Sequence, residues 1–376
     1  MALLSADIFC KVVDNYGDIG VGWRLARQLA DEQDFKVRLW VDNLASLARI
    51  GSDINAQADR QIVRDIEVRH WIAPFPEITP AEVVIETFGC HVPENYVIAM
   101  SRQARVPVWI NLEYLSAETW VDSHHGLPSP HSRLPLTKYF YFPGFSAKTG
   151  GLLREKSLLQ TRDAFQQDEN AQAGLWNKLG VGPRAKNELR MSLFCYENPA
   201  LPALVQTWAN GTQPITCLVP EGVAAESLAI FFQTEKKFTR GQLTLQTIPF
   251  TDQDDYDKLL WACDINFVRG EDSLVRAQWA AKPFVWHIYP QKENAHWLKL
   301  DAFMDVYSDT LSPDLAEATR HFSRAFNAGS GAAEAWPAFA QHVAVLQQHN
   351  RRWAAQLAAS PGLANGLADF CRKLIK

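Results

Sequence analysis

Several features that identify large classes of proteins are missing from this sequence. No apolar run approaches the ~20 residues of a membrane-spanning helix, so we expect no membrane span. The net charge is −5, whereas a nucleic-acid-binding protein usually carries a basic surface. The six cysteines include no CxxC pair, and the histidines lack metal-ligand spacing. We therefore expect no nucleic-acid partner and no metal site.

The N-terminal residues and the cysteines both indicate the cellular compartment of the protein. The N-terminus has no basic region and runs directly into a strand pattern, unlike a secretory signal. Most cysteines lie in apolar, strand-like runs, which is typical of buried, reduced thiols. Both observations predict a cytoplasmic protein.

Length and periodicity predict two α/β domains. A chain of 376 residues is long enough for two cores. Apolar runs of strand length alternate with helical patterns on both sides of a break near residues 155–185, which predicts two doubly wound parallel sheets. The predicted strands are Ala6–Val13, Lys36–Val41, Val83–Ile85, Val106–Ile110, Tyr139–Phe142, Leu189–Tyr196, Ile215–Val219, Leu243–Ile248, Ile265–Val268 and Phe284–Ile288.

Composition places the domain boundaries. We predict a Rossmann-like domain over residues 1–155, a linker over 156–184 and a second Rossmann-like domain over 185–349. The polar stretch 162–174 has the most linker-like composition. The final part of the chain shows helical patterns only, over Leu315–Asn327, Ala332–His349 and Asn350–Lys373.

The segment 264–290 has the pattern strand, loop, helix, strand. Glu271, Asp272 and Ser273 are ordinary capping residues for the start of this helix. Arg269 and Gly270 lie at the carboxyl end of the preceding strand, where α/β folds bind ligands and free backbone N–H groups suit phosphate. A nucleotide-phosphate site and a well-capped helix both fit this pattern.

The loop after the first strand contains Asp14, Asp18 and three glycines. The glycine spacing is G-x-x-G-x-G rather than the G-x-G-x-x-G of dinucleotide sites, and a Walker lysine is missing. Because carboxylates repel a pyrophosphate, the loop is better suited to hold a cation or to act as a base. The structural alternative is that Asp14 starts a turn and Asp18 caps the helix. If the two domains face each other, this loop and the Arg269 turn would converge on one substrate pair.

A set of segments, in order along nearly the whole chain, closely resembles the protein-arginine rhamnosyltransferase family EarP, whose members modify bacterial translation elongation factor P. The segments are CKVVDNYGDIGVGWRLARQLA, VVIETFGC, INLEYLSAE, LPSP, GFSAKTGGLLRE, LFCYENPA, IPF and VRGEDSLVRAQWAAKPFVWHIYPQKENAH. The resemblance implies a GT-B fold, in which two Rossmann-like domains with parallel sheets face an interdomain cleft. It implies a nucleotide-sugar on the second domain, the acceptor mainly on the first, and a final helix, 350–376, that returns to the first domain.

The resemblance also implies the reaction and its residues. The reaction is transfer of L-rhamnose from dTDP-β-L-rhamnose to an arginine of elongation factor P, with inversion and without a cofactor or metal. Asp18 matches the general base, Asp14 a neighbouring carboxylate and Glu271 a second essential acid. The implied donor-binding residues are Asn15, Tyr16, Gly17, Phe194, Tyr196, Phe250, Gln253, Tyr256, Arg269, Gly270, Asp272, Ser273 and Tyr289. Tyr16 and Tyr256 carry a hydroxyl where relatives have phenylalanine.

An arginine acceptor limits what a carboxylate can do. The guanidinium titrates above ~12, so removing its proton at pH 7 before reaction would cost roughly 7–9 kcal/mol. We therefore expect Asp18 to bind and aim the guanidinium first, and to take a proton as the C–N bond forms. Glu271 has three open roles: it holds sugar hydroxyls, the acceptor guanidinium or Arg269.

Other functions remain compatible with the residues alone. A GT-B enzyme with a different nucleotide-sugar or acceptor would share most of these motifs. A nicotinamide-dependent oxidoreductase would also use a Rossmann domain, although the missing G-x-G-x-x-G argues against it. A non-catalytic partner of the translation apparatus is the third alternative.

Overall fold

The computed structural model describes residues 3–13, 16–232 and 237–375, so Asp14 and Asn15 of the predicted site lie outside the described residues. The chain divides into two units. The first unit contains the chain up to Lys156 together with the residues from Leu357 onward, and the second runs from Ser157 to Gln356.

The N-terminal part of the first unit alternates strands and helices. Its elements are β1 (Leu4–Cys10), α1 (Gly17–Gln33), β2 (Phe35–Val41), α2 (Leu44–Ile50), β3 (Arg60–Val63), β4 (Ile66–His70), β5 (Val83–Thr87), α3 (Glu94–Ser101), β6 (Val108–Leu112), α4 (Val121–His124), β7 (Pro128–Pro130) and β8 (Thr137–Tyr141).

These strands form one sheet in the order β3-β4-β2-β1-β5-β6-β8-β7. The strands from β4 to β8 pair in parallel, and the edge strands β3 and β7 pair antiparallel to their neighbours. β5 and β6 are buried along their whole length, as expected for central strands covered on both faces. The strand order reverses between β1 and β5, and ligands of α/β folds bind at the carboxyl ends beside such a switch point.

The second unit repeats this plan and ends in helices. Its elements are α5 (Leu158–Gln167), α6 (Glu169–Lys178), β9 (Leu189–Leu193), α7 (Leu201–Ala209), β10 (Ile215–Pro220), α8 (Val223–Phe232), β11 (Lys237–Arg240), β12 (Leu243–Ile248), α9 (Gln253–Ala262), β13 (Ile265–Arg269), α10 (Asp272–Ala280), β14 (Phe284–His287), α11 (Ala295–Ser308), α12 (Pro313–Ala328), α13 (Ala332–Ala340) and α14 (Val343–Ala358). A short 3₁₀ turn, Lys292–Asn294, precedes α11.

The sheet of the second unit has the order β11-β12-β10-β9-β13-β14. All of its pairs are parallel except that of β11 with β12. The switch point lies between β9 and β13. The segments that follow these two strands are therefore the expected ligand-binding positions of this unit.

A last helix, α15 (Leu363–Ile375), completes the first unit. Its Phe370 ring contacts the rings of Tyr139 and Tyr141 on β8 edge-to-face. Its Arg372 donates a hydrogen bond to the carbonyl oxygen of Gln33 at the end of α1, over 2.7 Å. The helix thus covers the first sheet on the side of α1.

The segment predicted as a linker is helical instead. α5 and α6 occupy most of residues 156–184 and belong to the second unit. Arg162 donates to the carbonyl oxygen of Trp279 and Gln166 to that of Ala280, over 2.8 and 3.0 Å, which ties α5 to the end of α10. The polar composition reflects exposed helix faces, because Phe165 and Trp176 are buried on the opposite faces.

Two predicted helices are broken in the structure. The pattern over Ala332–His349 divides into α13 and α14 around Gln341, and that over Asn350–Lys373 is interrupted before Leu363. Pro361 and Gly362 explain the second break, because proline cannot continue a helical hydrogen-bond ladder and glycine favours turns. All six cysteines are buried and free, as predicted.

A buried ion pair connects α9 and α10. Asp257 on α9 accepts two hydrogen bonds from the Arg276 guanidinium on α10, over 2.9 and 2.6 Å. The side chains are 7% and 1% exposed, respectively. This pair fixes α10, the helix that starts beside the carboxyl end of β13. Among the described helices, none combines the length and apolarity needed to cross a membrane.

Candidate functional site

The turn after β13 is held by a serine of α10. The Ser273 hydroxyl accepts a hydrogen bond from the Arg269 backbone N–H over 2.9 Å and donates one to the Arg269 carbonyl oxygen. Gly270 has a φ of +64°, which a side chain would disfavour. Since the single hydroxyl proton is already used, Ser273 in this arrangement positions Arg269 instead of donating to a ligand.

The guanidinium of Arg269 lies over two aromatic rings. Its central carbon is 4.4 Å from the ring centroid of Phe194 and 4.8 Å from that of Tyr196. Both aromatic residues follow β9, the neighbour of β13 across the switch point. One terminal N–H group donates a hydrogen bond to the Cys195 carbonyl oxygen over 3.4 Å, and the guanidinium offers its other in-plane N–H groups to a phosphate. The geometry therefore forms a cationic, aromatic site at the carboxyl ends of β9 and β13.

Further predicted residues surround this position. The Tyr196 ring contacts the ring of Tyr289, which is exposed, with centroids 5.5 Å apart. The Tyr256 ring on α9 contacts Phe194 edge-to-face at 5.7 Å. Gln253, also on α9, donates a hydrogen bond to the Asp272 carboxylate over 3.3 Å. The second unit thus brings together most of the residues predicted to bind the donor.

Two predicted residues lie at the border of this group. Phe250 lies between β12 and α9 and is partly exposed. Glu271 occupies the N-cap position of α10, is partly exposed, and its carbonyl oxygen accepts a hydrogen bond from the Val275 N–H over 3.0 Å. Glu271 therefore directly follows the Arg269 turn, whereas Phe250 precedes α9, the helix of Gln253 and Tyr256.

Asp18 lies in the first turn of α1, in the first unit. It is the second residue of α1 and not its N-cap, which is Tyr16, so the capping interpretation is wrong. One carboxylate oxygen accepts a hydrogen bond from the Val13 N–H over 2.8 Å, and the other accepts one from the Tyr114 hydroxyl over 3.2 Å. Asp18 is only 2% exposed. Gly17 begins α1, and Tyr16 is partly exposed.

Tyr114 is a site residue that the sequence analysis did not identify. It lies just after β6, and its ring stacks on that of Phe88, just after β5, with centroids 4.4 Å apart. Both residues belong to segments that resemble the EarP family, INLEYLSAE and VVIETFGC, and this was the one available signal. No sequence spacing connects residues 18, 88 and 114, because the strand order brings them together.

His287 is a second residue that the sequence did not single out. It ends β14 in register with Arg269, contacts the Tyr196 ring and is 5% exposed. Burial, reinforced by the nearby charge of Arg269, lowers the pKa of His287 to about 4. The imidazole is therefore neutral at physiological pH and adds no charge to the site.

The first unit also contains a cavity of about 750 Å³. It lies between α3 and the segment from Ser129 to Leu134, with Trp109 and the Lys138–Glu86 ion pair in its wall. The lining includes none of the predicted site residues. In the described ranges, no three His, Cys, Asp or Glu side chains gather as a metal site.

Comparison with known sequences identifies similar proteins over the whole chain. A family model described as Elongation-Factor P (EF-P) rhamnosyltransferase EarP matches residues 6–372. A protein-arginine rhamnosyltransferase of Pseudomonas putida is 50% identical over 371 residues, covering 97% of this chain and 98% of the relative. That of Pseudomonas aeruginosa is 47% identical over 373 residues, covering 98% and 99%. A Neisseria meningitidis protein of the same name is 38% identical over 383 residues, covering 97% and 96%.

Solved structures give the same result for the fold. One described as the structural basis for EarP-mediated arginine glycosylation of translation elongation factor EF-P is 39% identical, has a TM-score of 0.71 and covers 98% of this chain and 99% of its own. A complex of TcCGT1 with UDP has a TM-score of 0.54 and covers 99% of both chains at 10% identity, which shows a common fold alone. The two α/β units are those of GT-B glycosyltransferases, so the predicted fold class is confirmed.

Proposed function

The chain belongs to the EarP family of elongation factor P rhamnosyltransferases, and on this premise we propose that it transfers L-rhamnose from dTDP-β-L-rhamnose to an arginine of elongation factor P, with inversion and without a metal. That it is a glycosyltransferase follows from the family. The observation that supports arginine rhamnosylation is the 38–50% identity, over nearly full length, to relatives named protein-arginine rhamnosyltransferase. A cytoplasmic location is part of the proposal, because the acceptor is a translation factor.

The second unit supplies the donor site. Arg269, whose guanidinium lies over Phe194 and Tyr196, offers charge and N–H groups to the diphosphate that leaves with the nucleotide. The exposed Tyr289 adds a hydroxyl beside it. Phe194 and Tyr256 provide aromatic surface for a thymine ring, and Gln253 provides polar groups for its edge. These groups stabilise negative charge on the leaving dTDP without a metal ion.

The first unit supplies the carboxylate. Asp18 is fixed at both oxygens by Val13 and Tyr114, so its orientation is set before an acceptor arrives. A buried carboxylate forms strong charge-assisted hydrogen bonds with a guanidinium and aims one nitrogen at the anomeric carbon. As the C–N bond forms and the C–O bond to dTDP breaks, the guanidinium proton becomes acidic and passes to Asp18. Asp14 and Glu271 remain proposed as the further acids of this reaction.

Mass spectrometry of the acceptor tests the function directly. Elongation factor P incubated with the enzyme and dTDP-β-L-rhamnose is expected to gain one deoxyhexose, located on an arginine by fragmentation. Calorimetric titration with dTDP and UDP tests the donor. Equal affinity for the two nucleotides would contradict the thymidine assignment, and an unmodified acceptor would contradict the function.

Replacing Asp18 by asparagine tests the base. Asp18→Asn keeps the shape but removes the charge, so we expect transfer to fall by at least ~10²-fold, the lower range for a general base. Binding of dTDP should be unchanged, because the residues proposed to hold its thymine and diphosphate, Phe194, Tyr256 and Arg269, belong to the second unit. Asp53→Asn, the same change at an exposed position of the first unit, is the control and should retain activity. Turnover of Asp18→Asn near the wild-type rate would exclude this role.

A further inference from the structure

Phe88 and Tyr114 form a stacked aromatic pair beside Asp18. Their ring planes differ by 16° and the centroids are 4.4 Å apart. Tyr114 also donates its hydroxyl hydrogen bond to Asp18, so the edge of the pair is joined to the carboxylate. The pair lies after β5 and β6, next to the switch point at which Asp18 follows β1. An aromatic face and a carboxylate are therefore adjacent in the first unit.

Phe88 has an unusual backbone conformation that is held by hydrogen bonds to neighbouring strands. Phe88 has a φ of +56°, in the left-handed region that residues other than glycine rarely adopt. Its N–H donates to the Leu112 carbonyl oxygen over 2.7 Å, and the preceding Thr87 hydroxyl donates to the Phe9 carbonyl oxygen over 2.8 Å. These bonds hold a conformation that the residue itself disfavours. The stacked position of Phe88 is thus imposed by its surroundings.

The exposure of the two rings differs from that of packing aromatics in the same unit. Phe9 and Trp40 stack within the core and are almost completely buried. Phe88 and Tyr114 remain partly exposed, although each follows a fully buried strand. Both residues are therefore partly accessible next to Asp18, which is 2% exposed.

The chemistry of this pair fits one class of ligand. A guanidinium is a planar, weakly hydrated cation that stacks on aromatic faces and forms hydrogen bonds in its own plane. We propose that the Phe88–Tyr114 pair is a stacking platform for the guanidinium of the acceptor arginine, and that Tyr114 positions Asp18 at its edge. This proposal rests on the proposed function and adds the residues that recognise the acceptor.

Acceptor kinetics of Phe88 variants at saturating donor test the platform. Phe88→Leu retains an apolar side chain but removes the π face, so the acceptor KM is expected to rise about 5- to 30-fold, the factor of a cation–π contact. Phe88→Tyr retains the face and should keep the KM within about 2-fold of wild type. Trp120→Leu, the same kind of change at an exposed aromatic residue of this unit, is the matched control for general effects.

Removal of the Tyr114 hydroxyl is expected to change kcat instead of the acceptor KM. Tyr114→Phe keeps the ring but removes the hydrogen bond to Asp18, so kcat should fall about 10-fold or more while the acceptor KM stays within about 2-fold. Tyr114→Leu removes both features and should change both constants. If Phe88→Leu has a lowered melting temperature, Tyr114→Leu serves as the test of the stacking platform in its place.

The outcomes separate the platform from the proposed function. If the wild-type chain adds no deoxyhexose to arginine, the function itself fails. If wild type is active and Phe88→Leu has an unchanged acceptor KM, the platform alone fails. An equal rise in KM for Phe88→Leu and Phe88→Tyr would also overturn it, because shape and not the π face would then matter. Unchanged dTDP affinity in all variants is expected, since the residues proposed to hold its thymine and diphosphate are in the second unit.

Discussion

The buried pair of Arg276 and Asp257 gives a sharp test of what holds the donor site. Arg276 lies on α10, the helix whose first turn carries Asp272 and Ser273. Arg276→Met replaces the guanidinium with an apolar side chain and leaves the Asp257 carboxylate buried without its double hydrogen bond. We expect the free energy of unfolding to fall by about 3–5 kcal/mol, the usual effect of removing one partner of a buried pair.

Removing both charges should have a much smaller effect. A buried ion pair is often nearly neutral relative to apolar residues of similar volume, because its attraction mainly offsets the desolvation of the two charges. The double variant Arg276→Met/Asp257→Leu should therefore recover most of the lost stability. Arg324→Met is the control, because its pair with Asp301 is 56% and 38% exposed and such pairs contribute about 0–1 kcal/mol.

Urea unfolding monitored by tryptophan fluorescence measures these changes, since Trp261 and Trp279 lie on α9 and α10. Calorimetry with dTDP in the same variants reports whether the α10 turn keeps its position. A loss below about 1 kcal/mol for Arg276→Met would refute the reasoning. So would a double variant as unstable as the single one, because an uncompensated charge could not then be the cause.

Two further predictions concern buried titratable groups. The unfolded chain protonates His287 near its ordinary pKa, whereas the folded protein does so at about 4, so stability present above about pH 6.5 is lost as the pH falls toward 4. The loss should be roughly 3 kcal/mol relative to His287→Gln, measured by unfolding both proteins across this range; parallel curves would contradict it. Burial raises the pKa of Cys195 to about 12, and all six thiols are buried. A thiol reagent at pH 8 should therefore react slowly with the native protein. After denaturation it should react with all six thiols. A native thiol that reacts rapidly would contradict this prediction.

Most central strands, and the edge strand β14, could be predicted from sequence because buried parallel strands are continuous apolar runs. The other edge strands, β3, β7 and β11, and the interior strand β4 could not. β7 consists of Pro128, Ser129 and Pro130, and proline argues against a strand except at an edge, which is where β7 pairs with β8. β3 and β11 are four residues each and largely exposed, so their sequences lack the regular pattern of apolar residues that predicts a strand.

The site was predictable where its residues are close in sequence. The Arg269 turn and the start of α10 form one segment, and strand and helix patterns placed them at a carboxyl end. The contact of Tyr114 with Asp18 joins residues 96 positions apart and depends on the strand order, which periodicity does not specify. The role of Ser273 depends on its hydrogen bonds to Arg269, and composition gives no information on those.

The position of α15 has a consequence for the order in which the protein is made. The ribosome synthesises the first sheet at the beginning and the helix that covers it at the end, with the entire second unit in between. The unit that emerges first therefore cannot be finished until α15 has been synthesised, whereas residues 157–356 are contiguous. Nascent chains of this enzyme thus expose the aromatic surface of β8, including Tyr139 and Tyr141, until α15 has emerged from the ribosome.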